Sequence, residues 1–123
     1  MNIIIDTHIF LWALTDPSKL DEAKLVALED LSNTIYVSAV SIAELMIKAS
    51  LKKLRIDFNP VLMAKESGFS LLDFSAEAAL LLKGMPFYHR DPFDRMLVAQ
   101  SITDNYPIMS DDPKIAMYDC RIC

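Results

Sequence analysis

The pattern that most constrains this chain is a set of short, wholly apolar runs that stop abruptly and give way to helical spacing. Residues 2–5, NIII, have no polar face, and Asp6 ends them just before THIFLWAL begins at residue 7. A strand apolar on both sides has to be covered on both sides, as in the interior of a parallel sheet. TIYVSAV at 34–40, FSLLDF at 69–74, YPIM at 106–109 and CRIC at 120–123 read as further strands. Helices are expected over 7–14, over 21–31 with Asp21 as cap, over 41–54, over 59–68 ending at Gly68, over 75–85 ending at Gly84, from Pro92 onward, and briefly over 111–118. Parallel strands need crossovers, and these helices supply them. The expected fold class is α/β: a three-layer α/β/α sandwich on a central, mostly parallel sheet of about five strands, in one domain spanning 1–123. In such sheets ligands sit beyond the carboxyl ends of the strands.

A hydrophobic content of 53% in 123 residues is ample for one core. The longest apolar runs, such as IFLWAL at 9–14, fall far short of the roughly 18 residues of a membrane span. No basic segment precedes Asp6, so a secretory signal is not expected and the chain reads as cytoplasmic. Seventeen acids against 12 bases, a net charge of −5, argue against gripping DNA or RNA by bulk charge. They leave room for a local site in which acids hold a metal and nearby bases meet phosphates. Lys48, Lys52, Lys53 and Arg55 cluster after one helix, and Arg90 and Arg95 flank HRDPFDRMLVAQ at 89–100; both groups read as solvated faces. Cys120 and Cys123 have CxxC spacing with no second pair, and read as reduced thiols in a terminal strand.

The acids that end strands or open helices carry the chemistry. Asp91 before Pro92 is an N-cap followed by proline at the first helical position, and Asp94 then falls in the first turn, where the helix dipole favours a carboxylate. Phe93, Met96, Leu97, Val98, Ala99 and Ile102 surround that helix almost completely, so Asp94 is expected in a partly dry place where it needs a partner. Asp6 reads as cap of the helix at Thr7. SIAE at 41–44 spells a capping box, with Ser41 as cap and Glu44 in the third helical position. Yet Ser41, Glu44 and Lys48 also form one polar stripe on an apolar helix, which points to a cleft. Asp112 before Pro113 is a further cap, with Asp111 as the spare candidate.

Each acid thus has a capping explanation, but Asp6, Glu44, Asp94 and Asp112 would all stand in first turns at one end of the sheet. Four clustered carboxylates repel, and a hard divalent cation, Mg2+ or Mn2+, resolves the repulsion. Such a cation lowers the pKa of a bound water and steadies an in-line displacement at phosphorus, so the set points to phosphodiester hydrolysis. His8 and His89 have no metal spacing to another ligand, and without GxSxG a serine hydrolase finds no support.

IIIDTHIFLWAL, VSAVSIAELMIKASLKKLRI, HRDPFDRMLVAQ and PIMSDDPKIAMY, in this order, resemble the PIN-domain toxins of the VapC type. The branch with a DTH start and an RDPFDR block is the most similar, and the resemblance spans essentially the whole chain. It implies an α/β/α sandwich acting as a magnesium- or manganese-dependent endoribonuclease, usually a homodimer, paired with an antitoxin that blocks the site. By motif position it implies Asp6, Glu44, Asp94 and Asp112 as the catalytic, metal-binding acids, with Asp111 the alternative fourth. Asp91 is left as cap or outer shell, and Thr7 and Ser41 either position a ligand water or phosphate or simply cap. Readings from other classes are a catalytically silent interaction domain of the same fold and a phosphoreceiver-like α/β domain. The latter needs adjacent acids after the first strand and a lysine at a late strand end; Asp6 has Ile5 and Thr7 beside it, and Lys114 lies within a predicted helix.

Overall fold

The structure is a computed structural model describing residues 1–123. Strand β1 (Asn2–Ile5) leads into helix α1 (Thr7–Thr15), a 3-10 turn at Pro17–Lys19 and helix α2 (Glu22–Glu29). Strand β2 (Thr34–Ser38) runs straight into α3 (Ala39–Ser50), and α4 (Pro60–Glu66) precedes β3 (Ser70–Leu72). Helices α5 (Ala76–Leu81) and α6 (Pro92–Asp104), strand β4 (Ile108–Met109) and a 3-10 helix at Pro113–Met117 complete the chain.

The sheet is wholly parallel, in the order β3-β2-β1-β4. It has four strands rather than about five: CRIC contributes a single isolated bridge, Ile122 to Ile108. Arg121, Ile122 and Cys123 are all exposed, so this end of the chain has no buried face to hold a full strand in register. Burial explains the apolar runs. Ile3 and Ile5 enter one core cluster with Ile9, Phe10, Leu45 and Met109, while Ile4 enters the other with Leu97, Val98 and Ile108. Each isoleucine removed from water in this way stabilises the fold by about 1.5–3 kcal/mol. Helix α3 packs on both α1 and α6, sending Leu45 to one core and Val40 to the other. No helix is long and apolar enough to cross a membrane.

Most helices start where the sequence places them: Asp6, Asp21, Asn59, Ser75, Asp91 and Asp112 each accept a backbone N–H of the following turn. The capping box at 41–44 is the exception. Ser38, the last residue of β2, is the cap and accepts the Val40 N–H at 3.0 Å, because strand passes into helix with no loop between them. Ser41 is therefore inside the helix and Glu44 lies in its second turn, not its first. The same helix stops at Ser50 rather than near 54, closed by Lys52 in the left-handed conformation (φ 58°) with the Lys53 N–H returning to the Lys48 carbonyl at 2.9 Å.

From β1 the order runs outward through β2 and β3, then returns to the far side of β1 as β4. The reversal lies between β1 and β4, so the crevice beyond their carboxyl ends is where a ligand is expected, next to Asp6 and residues 110–112.

Candidate metal centre

Asp6 follows β1, and its backbone N–H ties to the Met109 carbonyl at 3.0 Å, fixing the two strand ends side by side. Its carboxylate accepts the Ile9 N–H at 2.9 Å. Burial pushes this carboxyl above its usual pKa, against the opposing effects of Ser110, the Ile9 amide and His8, with the charge of Asp111 raising it further.

The next residue reaches across to α3. Thr7 Oγ1 lies 2.8 Å from Glu44 Oε1 and 2.9 Å from Ser41 Oγ. A carboxylate only accepts, so the single Thr7 proton goes to Glu44 and the Ser41 hydroxyl donates to Thr7. The second Glu44 oxygen pairs with Lys48 Nζ. Glu44 is only 3% exposed, and these partners are what a carboxylate requires at that depth. The predicted polar stripe is thus a connected network, and its Lys48 ammonium is held above its usual pKa first by Glu44 and also by Asp91 and Asp94.

On α6 the two aspartates differ. Asp91 accepts the Phe93 N–H at 2.8 Å and caps the helix. Asp94 is half-buried and receives no hydrogen bond from the protein. Burial, then the charge of Asp91, push its pKa to about 6; Glu44 and Asp112 add to the rise and His89 opposes it. The expected dry setting is present, and the partner it calls for is not supplied by a hydrogen bond from this chain.

Asp112 caps the 3-10 helix through Oδ1, which accepts the Lys114 N–H at 2.9 Å, while Oδ2 lies 2.6 Å from His89 Nε2. Burial acts to raise its pKa, but the hydrogen bonds from His89 and the Lys114 amide outweigh it and hold the carboxyl below its usual value. Asp111 instead faces Lys24 at 2.9 Å in an exposed ion pair shared with Asp21. It is Asp112, therefore, that faces Asp94.

Sequence spacing gave no sign of His89. Its ring nitrogen and the carboxylate oxygens of Asp94 and Asp112 all lie within 4.8 Å of one another. His89 and Asp112 are 23 positions apart and meet only because β4 delivers Asp112 next to the loop before α6, so no local motif could have shown it. Arg95 also departs from its reading as a solvated flank. It is buried, donates to the carbonyls of Leu82, Met85 and Pro86, and stacks its guanidinium over Phe87 at 4.1 Å. It fastens the loop that carries His89.

The structure thus brings Asp94, Asp112 and His89 into direct reach, and the charges of Glu44 and Asp91 act on Asp94; Asp6 stands at the adjoining strand end, outside that group of three. Oxygen donors dominate this set, which suits a hard divalent cation.

Solved structures share this architecture. A chain of VapBC2 from Rickettsia felis, bound to a fragment of promoter DNA, matches with a TM-score of 0.67 and 21% identity, over 99% of this chain and 96% of its own. VapBC from Salmonella typhimurium, also DNA-bound, matches with a TM-score of 0.69 and 15% identity over 99% and 96%. The PIN domain endonuclease Utp24 matches with a TM-score of 0.54 and 20% identity over 94% of this chain and 74% of its own. At these identities the likeness is one of fold. No curated protein matches the sequence. The PIN domain family model matches residues 3–119, from the first buried strand to beyond the last 3-10 helix, and the chain belongs to the PIN domain family.

Proposed function

We propose that this chain is a metal-dependent endoribonuclease, the toxin of a toxin–antitoxin pair, in which Asp6, Glu44, Asp94 and Asp112 gather around Mg2+ or Mn2+. The observation that carries the reading is Asp94. It is half-buried, has no protein donor, has a pKa pushed to about 6, and is faced by other carboxylates. Lys48 is already committed to Glu44. A ligand-binding crevice at which the charges of Asp91, Glu44 and Asp112 converge on Asp94 suits a bound metal ion.

The bound cation would supply an acidified water and charge neutralisation at the phosphate. The chain's own residues do the positioning. Asp6 is fixed by the Ile9 amide at the end of β1, Glu44 is held by Thr7 and Lys48, and Asp112 is oriented from both of its oxygens. Ser41 acts through Thr7, and Asp91 orients Asp94 by starting α6 in the right place. Exposed Lys52 and Lys53, in the turn that follows the helix of Lys48, offer charge to an RNA backbone that the net −5 would otherwise repel. Family membership sets aside the phosphoreceiver reading.

The partner assignments draw on the neighbours. Two of the similar structures are VapBC complexes, which supports a cognate antitoxin, and Utp24 is a PIN domain endonuclease, which supports nuclease chemistry. Exposed Leu80, Leu81, Phe87 and Met117 supply apolar surface for a homodimer. The setting is cytoplasmic, where RNA and antitoxin are both available. The test is cleavage of structured RNA by the purified chain in chelator, then after addition of Mg2+ or Mn2+. Cleavage that depends on the metal and returns with it is expected; equal cleavage in chelator overturns the reading.

A further inference from the structure

His89 is 7% exposed and Tyr118 5%, yet neither is merely packed. The Tyr118 hydroxyl accepts the His89 backbone N–H at 2.9 Å and lies 3.1 Å from His89 Nδ1, with the two rings stacked at 5.5 Å and 12°. The amide N–H can only donate, so the hydroxyl uses a lone pair there and its own proton is free for Nδ1. Nδ1 is then the acceptor, and the imidazole proton belongs on Nε2, aimed at Asp112 Oδ2 2.6 Å away. Capping of the 3-10 helix already uses Asp112 Oδ1. The bond to Oδ2 is therefore surplus to the local fold: together the two donors stop the carboxylate from rotating. Asp94 has no such restraint.

We infer that His89, its tautomer set by Tyr118, is a positioning residue that fixes the Asp112 carboxylate for a divalent cation shared with Asp94. This rests on the carboxylate-site reading above. A carboxylate that binds a metal is commonly held by an outer partner, and loss of such a partner costs about 10- to 100-fold in metal affinity. The covalent frame that places His89 is the loop clamped by Arg95, so the positioning chain runs from α6 through residues 82–89 to the end of β4.

The test is Mn2+ affinity of the full chain, measured by electron paramagnetic resonance, for wild type, His89→Leu, His89→Gln, Tyr118→Phe and Asp94→Asn, with metal-free melting recorded for each. Glutamine keeps a donor near the position of Nε2. His89→Leu is expected to weaken Mn2+ binding by about 10- to 100-fold, His89→Gln to restore most of it, and Tyr118→Phe to fall between them. If His89→Leu fails to fold, His89→Gln and Tyr118→Phe carry the comparison. Unchanged affinity in the folded variants, with only melting altered, makes His89 a packing residue and overturns the inference. Spin-echo modulation from a nitrogen bound directly to Mn2+ in wild type overturns it in favour of ligation. If wild type shows no Mn2+ binding that Asp94→Asn removes, the carboxylate-site reading falls and takes this inference with it.

Discussion

Asp91 and Asp94 stand three positions apart on α6, and only Asp91 is given a donor, the Phe93 amide. Both identities were legible in the sequence, because proline after Asp91 marks the helix start and the apolar surround of Asp94 marks a partly dry site. The difference has a pH signature. Burial, more than any neighbouring charge, lifts the Asp94 carboxyl from the ordinary aspartate range to about 6 in the fold. Because the folded-state value is the higher one, the stability this group contributes is fully present below about pH 4 and lost as pH rises through about 6. In chelator, Asp94→Asn should therefore gain stability over wild type as pH rises, by on the order of 1 kcal/mol at pH 7.5 after allowance for solvent screening of a half-exposed group. The gain should vanish near pH 4. Urea titrations of both proteins at the two pH values check this, and a difference independent of pH speaks against a strained Asp94.

At the scale of elements, helix starts were readable where a single polar residue precedes a helical pattern, as at Asp21, Asn59 and Ser75. Helix α3 was misread because Ser38 and Ser41 stand three apart and either can cap; the choice falls to Ser38 only because β2 pairs as far as that residue. The clamp by Arg95 was invisible for a similar reason, since its acceptors are carbonyls of a loop with no local signature. Those contacts predict that Arg95→Met, which keeps much of the stem, costs on the order of 3 kcal/mol by leaving carbonyls unpaired. Hydrogen exchange should localise the loosening to residues 82–89. A loss under about 0.5 kcal/mol, typical of an exposed site, would show that Arg95 is not a clamp.

For the whole molecule, the alternation of apolar strands and helices made the parallel α/β fold legible, whereas the meeting of Asp94, Asp112 and His89 depends on β4 returning beside β1, a long-range event no single segment encodes. On the proposed reading, the same convergence ties metal binding to stability. At a free Mn2+ concentration of 100 times its Kd, wild type should gain about 2.7 kcal/mol in unfolding free energy, and Asp94→Asn much less. Equal gains in the two proteins would place the cation elsewhere. The most direct test is RNA cleavage by Asp94→Asn and Asp91→Asn beside wild type, at one saturating Mn2+ concentration. Asparagine caps a helix about as well as aspartate but lacks the charge that holds a cation. Asp94→Asn should lose activity by orders of magnitude and Asp91→Asn should stay within a few-fold of wild type; an active Asp94→Asn beside a dead Asp91→Asn would contradict the assignment.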